Sequence, residues 1–321
     1  MLSKNDFIEK QVIYVMANSG EKVSFKNDNI VIKNSEDKII HQSTCYRLFA
    51  VYLVGNVSIT SGIIERAKKF DFSIVMLNSS FKVYQILNNM KEGNTLLKRK
   101  QYEYSSLDIA KHIIKNKTTN QLSLLKSQRY KSDELIYTID NLAGDIKNIM
   151  TMGDLIELIS QEGRIAKKYF KYYFMGLDWN GRKPRLKLDM INACLDIGYT
   201  ILFQFIESIL CLYGFDLYVG VLHTQFYMRK SLVCDIIEPF RVIIDKTTRD
   251  SINLGVFSES DFKVEHMTYN IEWKNYSKYV STYLKEIMLN KKDIFLYVQR
   301  YYRCFMKGEL IELYPEFDYG A

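Results

Sequence analysis

The chain has only three prolines, Pro184, Pro239 and Pro315, and none precedes residue 184. Proline breaks helix interiors, so this scarcity permits long helices. Its five cysteines (Cys45, Cys194, Cys211, Cys234, Cys304) are odd in number and show no CxxC spacing. That argues against a disulfide framework or zinc site and for reduced thiols in a cytosol. No Gly-rich phosphate loop, GxSxG elbow or HExxH occurs, so nucleotide hydrolysis and serine-hydrolase chemistry have no support. No uninterrupted apolar run reaches the roughly 18 residues of a membrane span. The most apolar stretch, Thr200–Phe215, is broken by Gln204 and Glu207. The start, MLSKNDFIEK, is polar and unlike a secretory signal. A cytoplasmic protein without a membrane partner is expected.

What the chain does have is unevenly placed charge. Lys and Arg number 44 against 37 acids, a net of +7. Residues 91–131 hold ten Lys/Arg and only Glu92, Glu103 and Asp108, and residues 163–187 hold eight against Asp178. Two strongly basic segments thus sit on an acidic background. They read as solvated helix faces or as a phosphate-binding surface.

Two periods divide the chain. Gln11–Met16, Lys22–Phe25, Asn29–Ile32 and Lys38–His41 are short, rich in β-branched or aromatic residues, and separated by turn residues. With Arg47–Val57, which continues them, they predict antiparallel β-structure; Ser73–Leu77 reads as a buried strand from its continuous apolar run, and Lys82–Leu87 alternates again. Ser61–Phe70 reads as one helix, capped by Thr60 or Ser61. Beyond Gly93 helical spacing takes over, at Thr151–Phe174, Leu188–Leu212, Ser277–Leu289 and Asp293–Met306. The predicted fold is α+β: a small β-rich domain over 1–92 carrying one helix, then a larger all-α domain over 93–321. Gly93 and Asn94 mark the hinge.

Three places could carry chemistry. In the first, Ser231 is a plausible N-cap for a helix running through Asp235 and Glu238, which at i and i+3 share a face. Two carboxylates among apolar neighbours need a cation, and His223 lies just upstream. This N/O ligand set suits Mg²⁺ or Mn²⁺, the imidazole tipping it toward Mn²⁺. Ion pairing with Arg229 or Arg241, and a satisfied turn histidine, explain the same residues. The second is Glu162, which projects from the apolar stripe of Leu158, Ile159, Ile165 and Ala166. Arg164 and Lys168 are badly placed to pair with it, and Gly163 allows close approach of a helix or ligand. The third is the basic loop Arg182, Lys183, Arg185 and Lys187, entering a helix through Asp189. His41, His112 and His266 have no partners at metal spacing.

Together these segments resemble the CRISPR-associated spacer-acquisition integrase family, the universal adaptation subunit. The resemblance rests on Leu53–Ser61 through Leu77, on Ala110–Gln121 with its Lys…Asn-Gln, and on E-x-x-x-A-x-x-Y-F from Glu162 to Phe170. It rests also on R-x-x-R…D-x-x-N-A-x-L-x-x-G-Y from Arg182 to Tyr199, and on L-H-x₅-R-x-S-L-x-x-D-x-x-E-x-F-R from Leu222 to Arg241. The family's fold is similar to a β-sandwich-like dimerisation domain followed by a helical catalytic domain. The resemblance implies Glu162, His223 and Glu238 as metal ligands, with Asp235 an adjacent catalytic acid. It implies that a 3′-hydroxyl of short spacer-precursor DNA attacks a repeat border by transesterification. Lys115, Lys117, Asn120, Arg164, Arg182, Arg185, Arg229, Ser231 and Arg241 are the expected contacts to double-stranded DNA, Arg241 alternatively buttressing Glu238. A homodimer and a small ferredoxin-like partner subunit are implied as well. The chain departs from the pattern in a ten-residue polar extension before the first strand and in lacking a double proline after Trp179. A metal-dependent nuclease for branched or nicked DNA in repair would use the same residues, whereas a DNA-binding scaffold would have no use for the three ligands together.

Overall fold

The computed structural model describes residues 4–17, 20–79, 83–87, 93–179, 181–224 and 226–320. The chain divides into two compact units, Met1–Asn94 with Ser208–Phe215, and Thr95–Glu207 with Asp216–Ala321. Lys82, Lys91 and Glu92, used in the sequence reading, lie outside the described residues.

The smaller unit begins with a short helix α1 (Lys4–Ile8), followed by strands β1 (Gln11–Met16), β2 (Lys22–Lys26), β3 (Asn29–Lys33), β4 (Ile39–Thr44) and β5 (Leu48–Val54). Helix α2 (Ser61–Phe70), β6 (Ser73–Leu77) and β7 (Val83–Leu87) complete it. β2, β3 and β4 form the expected antiparallel sheet. The other sheet, in the order β1-β5-β6-β7, is mixed, because β5 runs parallel to both β1 and β6 and only β7 is antiparallel. The antiparallel expectation for β1 and β5 is corrected here. β5 and β6 are joined by α2, and a parallel pair needs such a crossover. β5 and β6 are buried along their whole length, which explains their continuous apolar runs. Ile30 and Ile32 of one sheet, Ile13, Val51 and Ile74 of the other, and Ile63 and Ala67 of α2 share one core. Far from being a polar extension, the N-terminal segment buries Phe7, whose ring meets Phe49 edge-on at 5.2 Å.

The larger unit contains α3 (Thr95–Glu103), α4 (Asp108–Lys126), α5 (Asp133–Lys147) and α6 (Leu155–Tyr173), then α7 (Met190–Tyr213), whose last turns cluster with the smaller unit. It continues with α8 (Ser231–Ile236), α9 (Arg241–Asn253), a hairpin β8 (Phe262–Glu265) and β9 (Thr268–Ile271), α10 (Trp273–Leu289) and α11 (Lys291–Lys307). The hairpin is an addition to the helical expectation. α7 is long and apolar enough to cross a membrane by length and composition, but 78% of its most apolar stretch is buried within the protein. Its Glu207 pairs with Lys230 at 2.5 Å. At Gly198 a Cβ would lie 2.4 Å from Ile244 and 2.8 Å from the Tyr283 ring, so only glycine lets α7 approach α9 and α10 this closely.

The expected continuous helix from Ser231 does not form. Ser231 is the first residue of α8 rather than its cap, and a 3₁₀ turn at Glu238–Phe240 separates α8 from α9. Pro239 has no N–H to continue the α-helical ladder. The two carboxylates take different partners: Asp235 meets His223 and the backbone of its loop, and Glu238 meets Lys117 and Arg241.

Candidate active site

Glu162, His223 and Glu238 line one cavity of about 150 Å³, with Lys117, Arg229, Thr224, Leu222, Ile114 and Ile159. Four stretches of chain supply these walls: α4, α6, the loop before α8, and the 3₁₀ turn after it. Ile159, expected in the core stripe of α6, is 46% exposed and serves as cavity wall. Next to Glu162, Gly163 has nothing within 4 Å of where a side chain would begin, so no helix approaches there.

Lys117 stands between the two glutamates. Its Nζ is 2.5 Å from Glu162 Oε1 and 2.6 Å from Glu238 Oε2. Arg241 holds the other Glu238 oxygen at 2.9 Å. Burial pushes the Glu238 carboxyl up, but Arg241 and Lys117 outweigh it and hold the group down at about 2. Burial likewise lowers the Lys117 ammonium, and Glu238 and Glu162 more than restore it. Arg164 and Lys168 turn to Gln161 and Asp145 instead, as their spacing from Glu162 implied.

Asp235 is completely buried and does not line the cavity. Its Oδ2 accepts from the backbone N–H of Val221 at 2.6 Å and of Leu222 at 3.1 Å. Its Oδ1 takes the backbone N–H of His223 at 3.0 Å and lies 2.6 Å from His223 Nδ1. The loop can wrap this closely because of Gly220, where a Cβ would lie 2.5 Å from Asp235 Oδ2. The expectation of Asp235 as a direct catalytic group is thus corrected: its oxygens are spent on orienting His223 and its loop. With Nδ1 engaged, Nε2 is the imidazole nitrogen left to meet a ligand.

Several expected DNA contacts are also corrected. Asn120 is buried and donates its amide hydrogens to Pro239 O at 3.0 Å and Phe317 O at 2.8 Å. Ser231 is fully buried, its hydroxyl donating to Thr224 O. Neither can reach a phosphate. Lys117 is committed to the glutamates, and Arg241 takes the buttressing alternative. Arg182 bonds Asn192 at 2.9 Å and Asp196 at 2.5 Å. Arg164 and Arg185 are exposed, Lys115 is half-buried, and Arg229 lines the cavity.

A second set of contacts escaped the sequence reading. The segment after α11 returns to α4, where Asn116 exchanges hydrogen bonds with Phe317, donating to its O at 2.8 Å and accepting from its N at 2.9 Å. His112 Nε2 lies 2.9 Å from Pro315 O. The Phe317 ring packs on Phe240 at 4.6 Å. The only sequence signal for this was the Asn-rich face of α4, which reads equally as a basic surface helix.

Among the described residues no three His, Cys, Asp or Glu groups converge on a common metal position. The chemistry of the cavity nevertheless fits a divalent cation. It offers two carboxylates and an imidazole, and Glu238 Oε2 is buried without a hydrogen bond, held only by the Lys117 charge.

A profile of the family described as "CRISPR associated protein Cas1" matches residues 13–285. A CRISPR-associated endonuclease Cas1 of Thermodesulfovibrio yellowstonii is 28% identical over 271 residues, covering 80% of this chain and 82% of that protein. One solved structure, a Cas6-RT-Cas1–Cas2 complex, matches with a TM-score of 0.78 at 19% identity, over 97% of this chain and 36% of that one. Another, a casposase bound to integration product, matches with a TM-score of 0.76 at 20% identity, over 96% of this chain and 93% of that one. At these identities the structural likenesses speak for the fold alone. With the sequence profile spanning nearly all of the β-rich part and every element that lines the cavity, the chain belongs to the Cas1 family of CRISPR-associated proteins.

Proposed function

We propose that this protein is a divalent-metal-dependent DNA integrase and endonuclease of CRISPR adaptation. It would join the 3′-hydroxyl ends of short spacer-precursor DNA to the borders of a repeat. The new ester forms between the attacking 3′-oxygen and phosphorus, and the bond to the leaving 3′-oxygen breaks. The observation that carries this reading is the meeting of Glu162, His223 and Glu238 at one cavity in a Cas1-family chain.

In this reading Glu162, His223 and Glu238 hold Mg²⁺ or Mn²⁺. When bound, the ion supplies charge stabilisation for the attacking and leaving oxygens. Asp235 keeps His223 oriented with Nε2 toward the cavity. Arg241 keeps Glu238 ionised, and Arg229 presents a guanidinium to a phosphate at the cavity wall. Lys117 neutralises the two glutamates in the metal-free protein. Lys115, Arg164 and Arg185 extend the basic track toward flanking phosphates.

The larger unit would be catalytic and the smaller one would mediate dimerisation. A partner subunit accords with the structural relative solved as a Cas6-RT-Cas1–Cas2 complex, and the family resemblance implies that it is small and ferredoxin-like. The relatives' endonuclease names favour a second use of the same site, in which water replaces the 3′-hydroxyl and branched or nicked DNA is hydrolysed. A cytoplasmic location accords with this work on DNA.

The test incubates the protein with Mn²⁺ or Mg²⁺, a short duplex with free 3′-hydroxyls and a repeat-bearing plasmid. Joined products are expected, and His223→Ala should abolish them while DNA binding persists. Cleavage without joining, even with the small partner added, overturns the integrase reading. Full joining by His223→Ala overturns the ligand assignment.

A further inference from the structure

Among the described residues between the cavity residues Thr224 and Arg229, Phe226 to Met228 form a short exposed turn. The Ser231 hydroxyl donates to Thr224 O at 3.2 Å, and Arg229 N donates to Phe226 O at 2.9 Å, closing the turn. Phe226, Tyr227 and Met228 are exposed to 73%, 86% and 75%. Met228 has a left-handed backbone, φ +58°. Glycine or asparagine is the ordinary choice at such a turn position. The chain instead keeps a large apolar side chain there and leaves two aromatic rings in water beside it. Neither choice serves folding, and both occur where the walls of the candidate active site begin and end.

Three side chains are too small an area for a stable protein interface, which needs about 800 Å² per partner. The cavity beside the turn carries the Arg229 guanidinium, a phosphate-binding group, and the His223 imidazole. Flat aromatic rings stack on any base, and Phe or Met side chains wedge between base steps. We infer that Phe226, Tyr227 and Met228 form an apolar finger that stacks against unpaired nucleobases flanking the phosphodiester held in the cavity. The finger thereby favours targets whose base step at that phosphate opens. This rests on the DNA-joining reading above and adds to it a group that selects the target site.

The experiment uses the full chain and the triple variant Phe226→Ser, Tyr227→Ser, Met228→Gly, whose turn suits the new residues. A branched DNA carrying 2-aminopurine on either side of the branch-point phosphate reports stacking directly. Wild type should change the 2-aminopurine emission and the variant should not, with phosphate-driven affinity retained. Joining into an intact duplex should fall by about tenfold or more in the variant. The loss should be clearly smaller on the same target with a mismatched border step. Restoring aromaticity with Tyr227→Trp alone should retain the emission change. Equal emission changes in wild type and triple variant, or equal losses on intact and mismatched targets, overturn the finger. If wild type joins no DNA, the functional reading above fails instead, and the emission change on branched DNA still decides for or against the finger. A variant that only alters self-association, with unchanged emission, also overturns it.

Discussion

His223 Nδ1 lies 2.6 Å from Asp235 Oδ1, in a carboxylate that also collects three backbone N–H groups of the same loop. One buried side chain therefore sets the path of the loop and which nitrogen of the imidazole faces the cavity. Asp235→Asn removes an acceptor oxygen and puts an N–H₂ among donors. Metal affinity and joining should drop about 10–100-fold. Stability should fall by about 1–3 kcal/mol. Imidazole ¹⁵N shifts should show His223 changing tautomer. An unchanged tautomer with wild-type joining would refute the orienting role.

Lys117→Met leaves Glu162 without its cation and Glu238 with Arg241 alone. Breaking a buried pair from one side should cost about 3–5 kcal/mol. Millimolar Mn²⁺ should recover much of that, because the metal replaces the missing charge. Urea titrations with and without Mn²⁺ read both numbers. A destabilised variant that Mn²⁺ does not rescue speaks against a metal at these glutamates.

Asn120→Ala severs hydrogen bonds to Pro239 O and Phe317 O together, and Phe317→Ala removes the ring packed on Phe240. Losses of about 2–3 kcal/mol for Asn120 and about 3–5 kcal/mol for Phe317 are expected by chemical denaturation. Because Asn120 is buried, the salt dependence of DNA binding should stay at the wild-type slope in Asn120→Ala. A flattened slope would return Asn120 to the DNA surface.

Two carboxyls make opposite contributions to acid stability. Glu238 is held at about 2 against an ordinary 4.5, so its stabilisation is present above pH 4.5 and is lost as the pH falls toward 2. Asp245 goes the other way: burial raises it to about 6 from 3.8, only partly offset by Tyr199 and Tyr169, which donate to it, and by Arg241 and Arg182. The folded state binds that proton more tightly, so its contribution is fully present below pH 3.8 and is lost as the pH rises through 6. Asp245→Asn should reduce the decline in stability between pH 4 and 6, a change of about 2–3 kcal/mol. Thermal unfolding across that range measures it, and parallel wild-type and mutant curves would count against a protonated Asp245.

Much of this was legible in the residues. Turn-bounded β-branched segments located β1, β2 and β3 to within a residue and β4 and β5 to within three, a continuous apolar run located β6, and helical spacing located α6, α7, α10 and α11. Glu162 stood out as a carboxylate without a local partner, and its poor geometry toward Arg164 and Lys168 held. Other features were invisible to local patterns. β5 pairs in parallel with β1 after an intervening three-stranded sheet, and periodicity carries no information about partner direction. The hairpin of β8 and β9 is only four residues per strand.

Residue order alone determined the β-then-α division, the Cas1-family motifs and the residue types at the cavity. Tertiary structure decided which of those residues meet. Lys117 reaches Glu162 across 45 positions of chain, and α4 spends Asn116 and Asn120 on the returning tail. Asp235 meets His223, and Glu238 meets Lys117 and Arg241. Local spacing cannot encode such pairings, because they depend on how helices pack over long separations. A charge in a low-dielectric interior is stable only when that packing brings its counter-charge to it.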